Sequence, residues 1–145
     1  MGCSNQPIIQ STQNQNFTCV AGDDFYEQLN LIDELTGLPI PIMGWQFYLD
    51  VFQSWAAKVA DPDSPLISLV NGAGFTILSS PDGSVGMTIL RSQTGSIDVP
   101  LNTAFGSDTP TNICVYDFVA IDENGLQRTR MRGNFNFTMR LTDIN

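Results

Sequence analysis

The chain has no histidine and a single lysine, Lys58, among its 145 residues. Without an imidazole there is no Ser-His-Asp or Cys-His nucleophile pair, no histidine general base and no His-ligated zinc or iron. With one lysine there is no Walker-type phosphate loop, because the glycine-rich turn Asn71-Gly72-Ala73-Gly74 is not followed by Lys-Ser/Thr. Cations are scarce throughout: six Lys and Arg stand against 15 Asp and Glu, a formal charge of −9. Affinity for nucleic acid comes from neutralising phosphates, so no nucleic-acid partner is expected. Long apolar runs are missing too, and the start of the chain has neither a basic segment nor an apolar one, so neither a membrane span nor a classical signal peptide is expected. The three cysteines, Cys3, Cys19 and Cys114, are odd in number and lack a CxxC spacing. No metal site follows from them, and whether Cys19 and Cys114 pair is open.

Charge is replaced by neutral polarity. Only 14% of residues are charged, while Asn, Gln, Ser and Thr occupy 43 positions. This polarity is concentrated at the start: residues 1–22 have no charged side chain, and ten of the first sixteen are Ser, Thr, Asn or Gln. Such a leader cannot bury a core of its own. Residues 1–21 are therefore read as an extended N-terminal arm, laid either on a partner or along its own domain as an edge strand, and 22–145 as the domain proper.

From Phe17 onward the apolar residues recur with period two, and no dozen residues support an amphipathic helix. In Gln127–Leu141, residues Thr129, Met131, Gly133, Phe135 and Phe137 would take one face and Arg128, Arg130, Arg132 and Arg140 the other, with Gly133 marking a bulge or bend that makes two consecutive strands or one bent strand. Ile113–Asp122 joins this strand through Glu123-Asn124-Gly125, a strong hairpin signal. Further strands are expected at Phe25–Ile32, Gly44–Trp55, Leu66–Val70, Phe75–Leu78 and Val85–Leu90, with Ile97–Leu101 as one more. The connector Leu38-Pro39-Ile40-Pro41-Ile42 cannot be a central strand. Seven to nine short strands with turn chemistry between them predict an all-β fold, a single antiparallel β-sandwich.

Few residues suggest chemistry. Of three glutamates, Glu34 and Glu123 fall in expected turns, so two-carboxylate hydrolysis has no support and an enzyme is not expected. Asp61 and Asp63 could offer oxygens to calcium, but the Gly and the distal Glu of an EF-hand loop are missing, and a solvated loop is the better reading. Asp117 interrupts an apolar strand; if buried, its partner is expected on the arginine-bearing strand beside it. Arg128, Arg130, Arg132 and Arg140 would form a docking stripe for an acidic neighbour, another copy included, or else pair with the chain's own aspartates. Gln10, Gln13, Asn14 and Gln15 are the contact candidates of the arm. Trp45 and Trp55 read as core or interface anchors, whereas exposed Tyr48, Phe52 and Trp55 could instead stack on a sugar.

The series Gly22-Asp23-Asp24-Phe25, Asp33-Glu34-Leu35-Thr36-Gly37-Leu38-Pro39-Ile40 and Gly44-Trp45-Gln46-Phe47 resembles a bacteriophage virion module. Val115-Tyr116-Asp117-Phe118, Asp122-Glu123-Asn124-Gly125 and the late Gly133 extend the likeness over about residues 22–142. The module is similar to the amino-terminal β-sandwich of phage upper baseplate proteins and of small tail-fibre or neck attachment proteins. The resemblance implies a non-catalytic virion protein, without a cofactor, that docks on other virion structural proteins of tail, baseplate or neck, as a symmetric dimer or trimer. A capsid cement or decoration protein is the alternative, and a carbohydrate- or receptor-binding sandwich a remoter one.

Overall fold

A computed structural model describes residues 5–9, 13–99 and 111–139, the first of these as backbone only. Gln10 and Arg140 of the expected contact residues, Cys3, and the end of the expected strand Ile97–Leu101 lie outside the described residues. The strands are β1 (Asn5–Ile9), β2 (Gln13–Asn14), β3 (Phe17–Val20), β4 (Phe25–Ile32), β5 (Gln46–Phe52), β6 (Ile67–Asn71), β7 (Gly74–Ser79), β8 (Ser84–Ile89), β9 (Thr111–Ile121) and β10 (Gln127–Thr138). Two short helices, α1 (Trp55–Ala60) and α2 (Arg91–Thr94), interrupt them.

All ten strands belong to one hydrogen-bonded sheet, ordered β1-β4-β8-β7-β6-β5-β9-β10-β2, with β3 also on β10. The expected antiparallel sandwich is corrected on both counts. The sheet is mixed, because β1 runs parallel to β4, and β2 and β3 run parallel to β10. It is also continuous and curls into a half-barrel. At β6 and β7 the join narrows to two residue pairs, Val70↔Gly74 and Asn71↔Phe75, so the sheet can fold over there and still bury one face.

That face is the core. Phe47, Leu49, Leu69, Met87, Tyr116, Phe118 and Phe135 are fully buried, each contributing about 1.5–3 kcal/mol on leaving water. Curling brings strands from opposite ends of the order together: Phe25 of β4 packs edge-on against Phe135 of β10 at 5.2 Å and against Phe17 of β3 at 5.8 Å. Strand β1 also approaches β10.

The polar leader is built into this sheet. Residues 5–9 and 13–20 pair with β4 and β10 of their own chain, which is the edge-strand arrangement. Gly133 explains how β2 and β3 reach β10. The strand runs unbroken past Gly133, and its bulge lies between Thr129 and Met131. Instead the missing side chain makes a notch, since a Cβ at residue 133 would stand 2.2 Å from the Gln15 carbonyl oxygen. Tyr116, opposite Gly133 on β9, donates its hydroxyl hydrogen to the same carbonyl at 2.6 Å. Asn16 Oδ1 accepts the Asn134 N–H at 2.9 Å, and Gln15 N–H donates to Arg132 O at 2.9 Å.

Two local expectations also change. The β9–β10 hairpin forms, but Gly125 alone takes positive φ, at 83°. Asn124 does not, because Asp122 Oδ1 accepts the N–H groups of Asn124 and Leu126 and closes a longer loop. Strand β5 ends at Phe52 rather than Trp55, because Ser54 caps α1 by accepting the Ala57 N–H at 3.0 Å. No helix among the described residues is long and apolar enough to cross a membrane.

Candidate functional site

The outer face of β5, β9 and β10 bears a row of polar residues running across the strands. Pairing sets Ser68 opposite Asp50, Asp50 opposite Asp117, Asp117 opposite Arg132 and Arg132 opposite Asn14. Cross-strand partners share a face, so the row is continuous over five strands. Helix α1 contributes Lys58 from above, and the Lys58 ammonium forms an ion pair with Asp117. Asp117 is only 9% exposed, so an unpaired carboxylate there would be costly. The expected partner on β10 is thus corrected: α1, which the sequence reading missed, supplies it. The only sequence signal was Ser54 ahead of Ala56, Ala57 and Lys58, too short a run to show helical periodicity.

Trp55 stands beside this pair and is 41% exposed. Both Lys58 Nζ and the Arg132 guanidinium carbon lie 5.8 Å from the centre of its ring, within cation–π range. Around them lies a shallow depression of about 620 Å³, bordered by Tyr48, Asp50, Val119, Gln127 and Thr129 as well as the charged residues. Asp50 accepts a hydrogen bond from Ser68 Oγ at 2.6 Å. Among the described residues Arg132 has no ion pair. The depression therefore presents a planar cation on an aromatic shelf, with both neighbouring carboxylates already engaged.

The arginines do not form one stripe. The bulge inserts one residue at Arg130, and an odd insertion exchanges the faces on either side of it. Arg132 accordingly sits opposite Asp117 on the outer face, whereas Arg128 sits opposite Ala120, whose side faces the core, at the open end of the sheet. Arg130 is buried, 5.5 Å over the Trp45 ring. Burial lowers its pKa, the nearby Arg128 adds to the lowering, and Asp122 opposes both. Trp45 itself donates its indole N–H to Glu123 at 2.5 Å. Trp45, Arg130 and Glu123 thus close the barrel end and are structural.

Of the arm residues, Gln13 and Asn14 lie in β2 beside Met131 and Arg132, and Gln15 fills the Gly133 notch. The expected sugar platform loses a member, because Phe52 is buried under Lys58 at 6.0 Å. Asp61 and Asp63 lie in an exposed loop, and Asp61 ends α1. Among the described residues no group of three or more Asp, Glu, Cys or His converges.

Cys19 and Cys114 are buried and unbonded. They pair with Phe137 and Phe135 from opposite sides of β10, so two strand spacings and a two-residue offset put them about 11–12 Å apart, beyond the roughly 7 Å a disulfide can span. Burial pushes both thiols up to about 11. The folded chain keeps protons that the unfolded chain releases above pH 9, so stability should fall as pH rises from 9 towards 11. Peptide-resolved alkylation of the native protein at pH 8 should leave Cys19 and Cys114 unmodified until denaturant is added. Rapid native labelling of either would contradict their burial.

No family model matches the sequence, and no curated protein is similar to it. Among solved structures, the chain is similar to the N-terminal domain of phage TP901-1 ORF48. The match covers 94% of this chain and 98% of that one, at 9% identity and a TM-score of 0.41. A likeness of that order carries no inference about activity.

Proposed function

We propose that this chain is a bacteriophage virion structural protein, a non-catalytic attachment and assembly module of tail, baseplate or neck that docks on other virion proteins. The observation that carries the docking reading is the outer-face depression, where half-exposed Trp55 and unpaired Arg132 stand beside Tyr48 on rigid strands and a capped helix. Tryptophan, tyrosine and arginine are the residues that most often anchor protein interfaces. The phage assignment is supported by the sequence resemblance, whose motif residues fall at turns that set the fold: Asp33 to Gly37 after β4, Gly44-Trp45 before β5 and Asp122 to Gly125 between β9 and β10. Residues 5–9 and 13–20 of the leader pair within the chain's own sheet, and in this reading the outer face is a contact surface. A capsid decoration protein would use the same surface.

The test is incorporation. Trp55→Ala and Arg132→Glu should each leave the circular dichroism spectrum unchanged and reduce recovery of the chain in purified particles at least about tenfold, the scale of a loss of 1.4 kcal/mol or more at an interface anchor. Normal incorporation of both folded variants would refute docking through this face. The position of a label on the particle would separate tail from head.

A further inference from the structure

A second surface feature is a turn that carries several bare apolar side chains. The turn after β4 exposes Leu35 by 89% and Leu38 by 63%, and Met43 beyond it is similarly bare. Hydrogen bonds tie the backbone of this apolar knuckle together. Asp33 Oδ1 accepts the Leu35 N–H at 2.8 Å, Thr36 Oγ1 accepts the Leu38 N–H at 3.2 Å, and Gly37 N–H donates to Asp33 O at 2.7 Å. Backbone bonds from Ile40 N to Leu31 O and from Ile42 N to Ser80 O pin the rest of the connector to the barrel. Its backbone is satisfied internally while its large apolar side chains face solvent. Ordering such a turn before contact removes part of the entropy cost of binding.

We infer that this knuckle seats in the Trp55–Arg132 depression of a second copy of the chain, giving a head-to-tail contact. This rests on the outer face being a docking surface and adds its occupant. Three observations favour a second copy. Acidic Asp33 and Glu34 flank the apolar residues of the knuckle, and the depression offers Arg132, a cation without an ion pair in a chain of net charge −9. The depression's apolar lining of Tyr48, Val119 and Ile121, with the Trp55 ring at its edge against Arg132, suits Leu35 and Leu38. Finally, Leu35 and Leu38 stay exposed within the chain, so one copy does not fill its own depression. Contacts between two different patches of identical subunits generate rings or filaments.

Sedimentation velocity of the purified full chain over a concentration series tests this without any particle, so its failure would leave the incorporation result standing. The wild type should self-associate. Leu35→Asp, Glu34→Arg and Arg132→Glu should each weaken association at least about tenfold, as like charges or a buried charge enter the contact. Mixing the Glu34→Arg and Arg132→Glu proteins should restore it, because each copy then offers the complement of the other. Thermal melts confirm that the variants fold, and Leu35→Asp, on a bare side chain, guards against Arg132→Glu disturbing Asp117. A monomeric wild type, undiminished association of Arg132→Glu, or no recovery on mixing would overturn the inference.

Discussion

Phe135→Ala should destabilise the protein by about 3–5 kcal/mol, the range for emptying a fully buried phenylalanine site. Phe135 is where the curled sheet meets itself. Its ring lies 5.4 Å from Phe17, 5.2 Å from Phe25, 5.9 Å from Tyr116 and 5.0 Å from Phe137. Those rings come from β3, β4, β9 and β10, so the cavity would loosen the closure between the first strands and the last. Since whole domains are stable by only about 5–15 kcal/mol, the loss would shift a urea midpoint strongly. Equilibrium denaturation measures it, and a loss below about 1 kcal/mol would mean that these inner faces do not converge.

Gly133→Ala should cost about 2–4 kcal/mol, from overpacking and from hydrogen bonds lost around Gln15 and Asn16. A methyl group there would meet the Gln15 carbonyl oxygen at 2.2 Å and Asn16 Oδ1 at 2.8 Å. Displacing that segment also strips the buried Tyr116 hydroxyl of its acceptor. The cause can be isolated with a second change. In a chain lacking residues 1–16 the obstacle is gone, and Gly133→Ala should be neutral or stabilise by up to about 1 kcal/mol through the unfolded state. An equal penalty in both backgrounds would show that the notch does not hold the leader. Hydrogen exchange should report faster exchange of residues 13–20 in the full-length variant.

Much of the strand pattern was readable from alternation alone. Phe25–Ile32 coincides with β4, and the inward set Trp45, Phe47, Leu49 and Val51 is buried as period two requires. Pro39 and Pro41 keep their connector from forming a strand, leaving an isolated bridge between Pro39 and Ile32. What alternation could not show was strand order. Parallel edge pairing of β1, β2 and β3 leaves no local signal, because Asn, Gln, Ser and Thr suit an edge strand and a free arm equally well. One inserted residue at Arg130 was enough to part arginines that a regular count places together. The candidate site was half visible: Asp117 stood out as a carboxylate in an apolar strand, but Lys58 reaches it across 59 positions of sequence, from a helix one and a half turns long. A glycine in a strand can mark a bulge, a bend or a close approach, and at Gly133 only the neighbouring Gln15 backbone shows the close approach.

The claim at the centre is that the outer face of β5, β9 and β10 is covered by another protein in the assembled particle. A photo-crosslinking residue placed at Thr129, within the depression, tests this directly, with Thr76 on β7 as the comparison site. Irradiation of purified particles should join the Thr129 probe to a virion protein or to a second copy of the chain, and the Thr76 probe far less. Equal yields from the two sites, or no adduct from Thr129 in particles that contain the chain, would contradict the account.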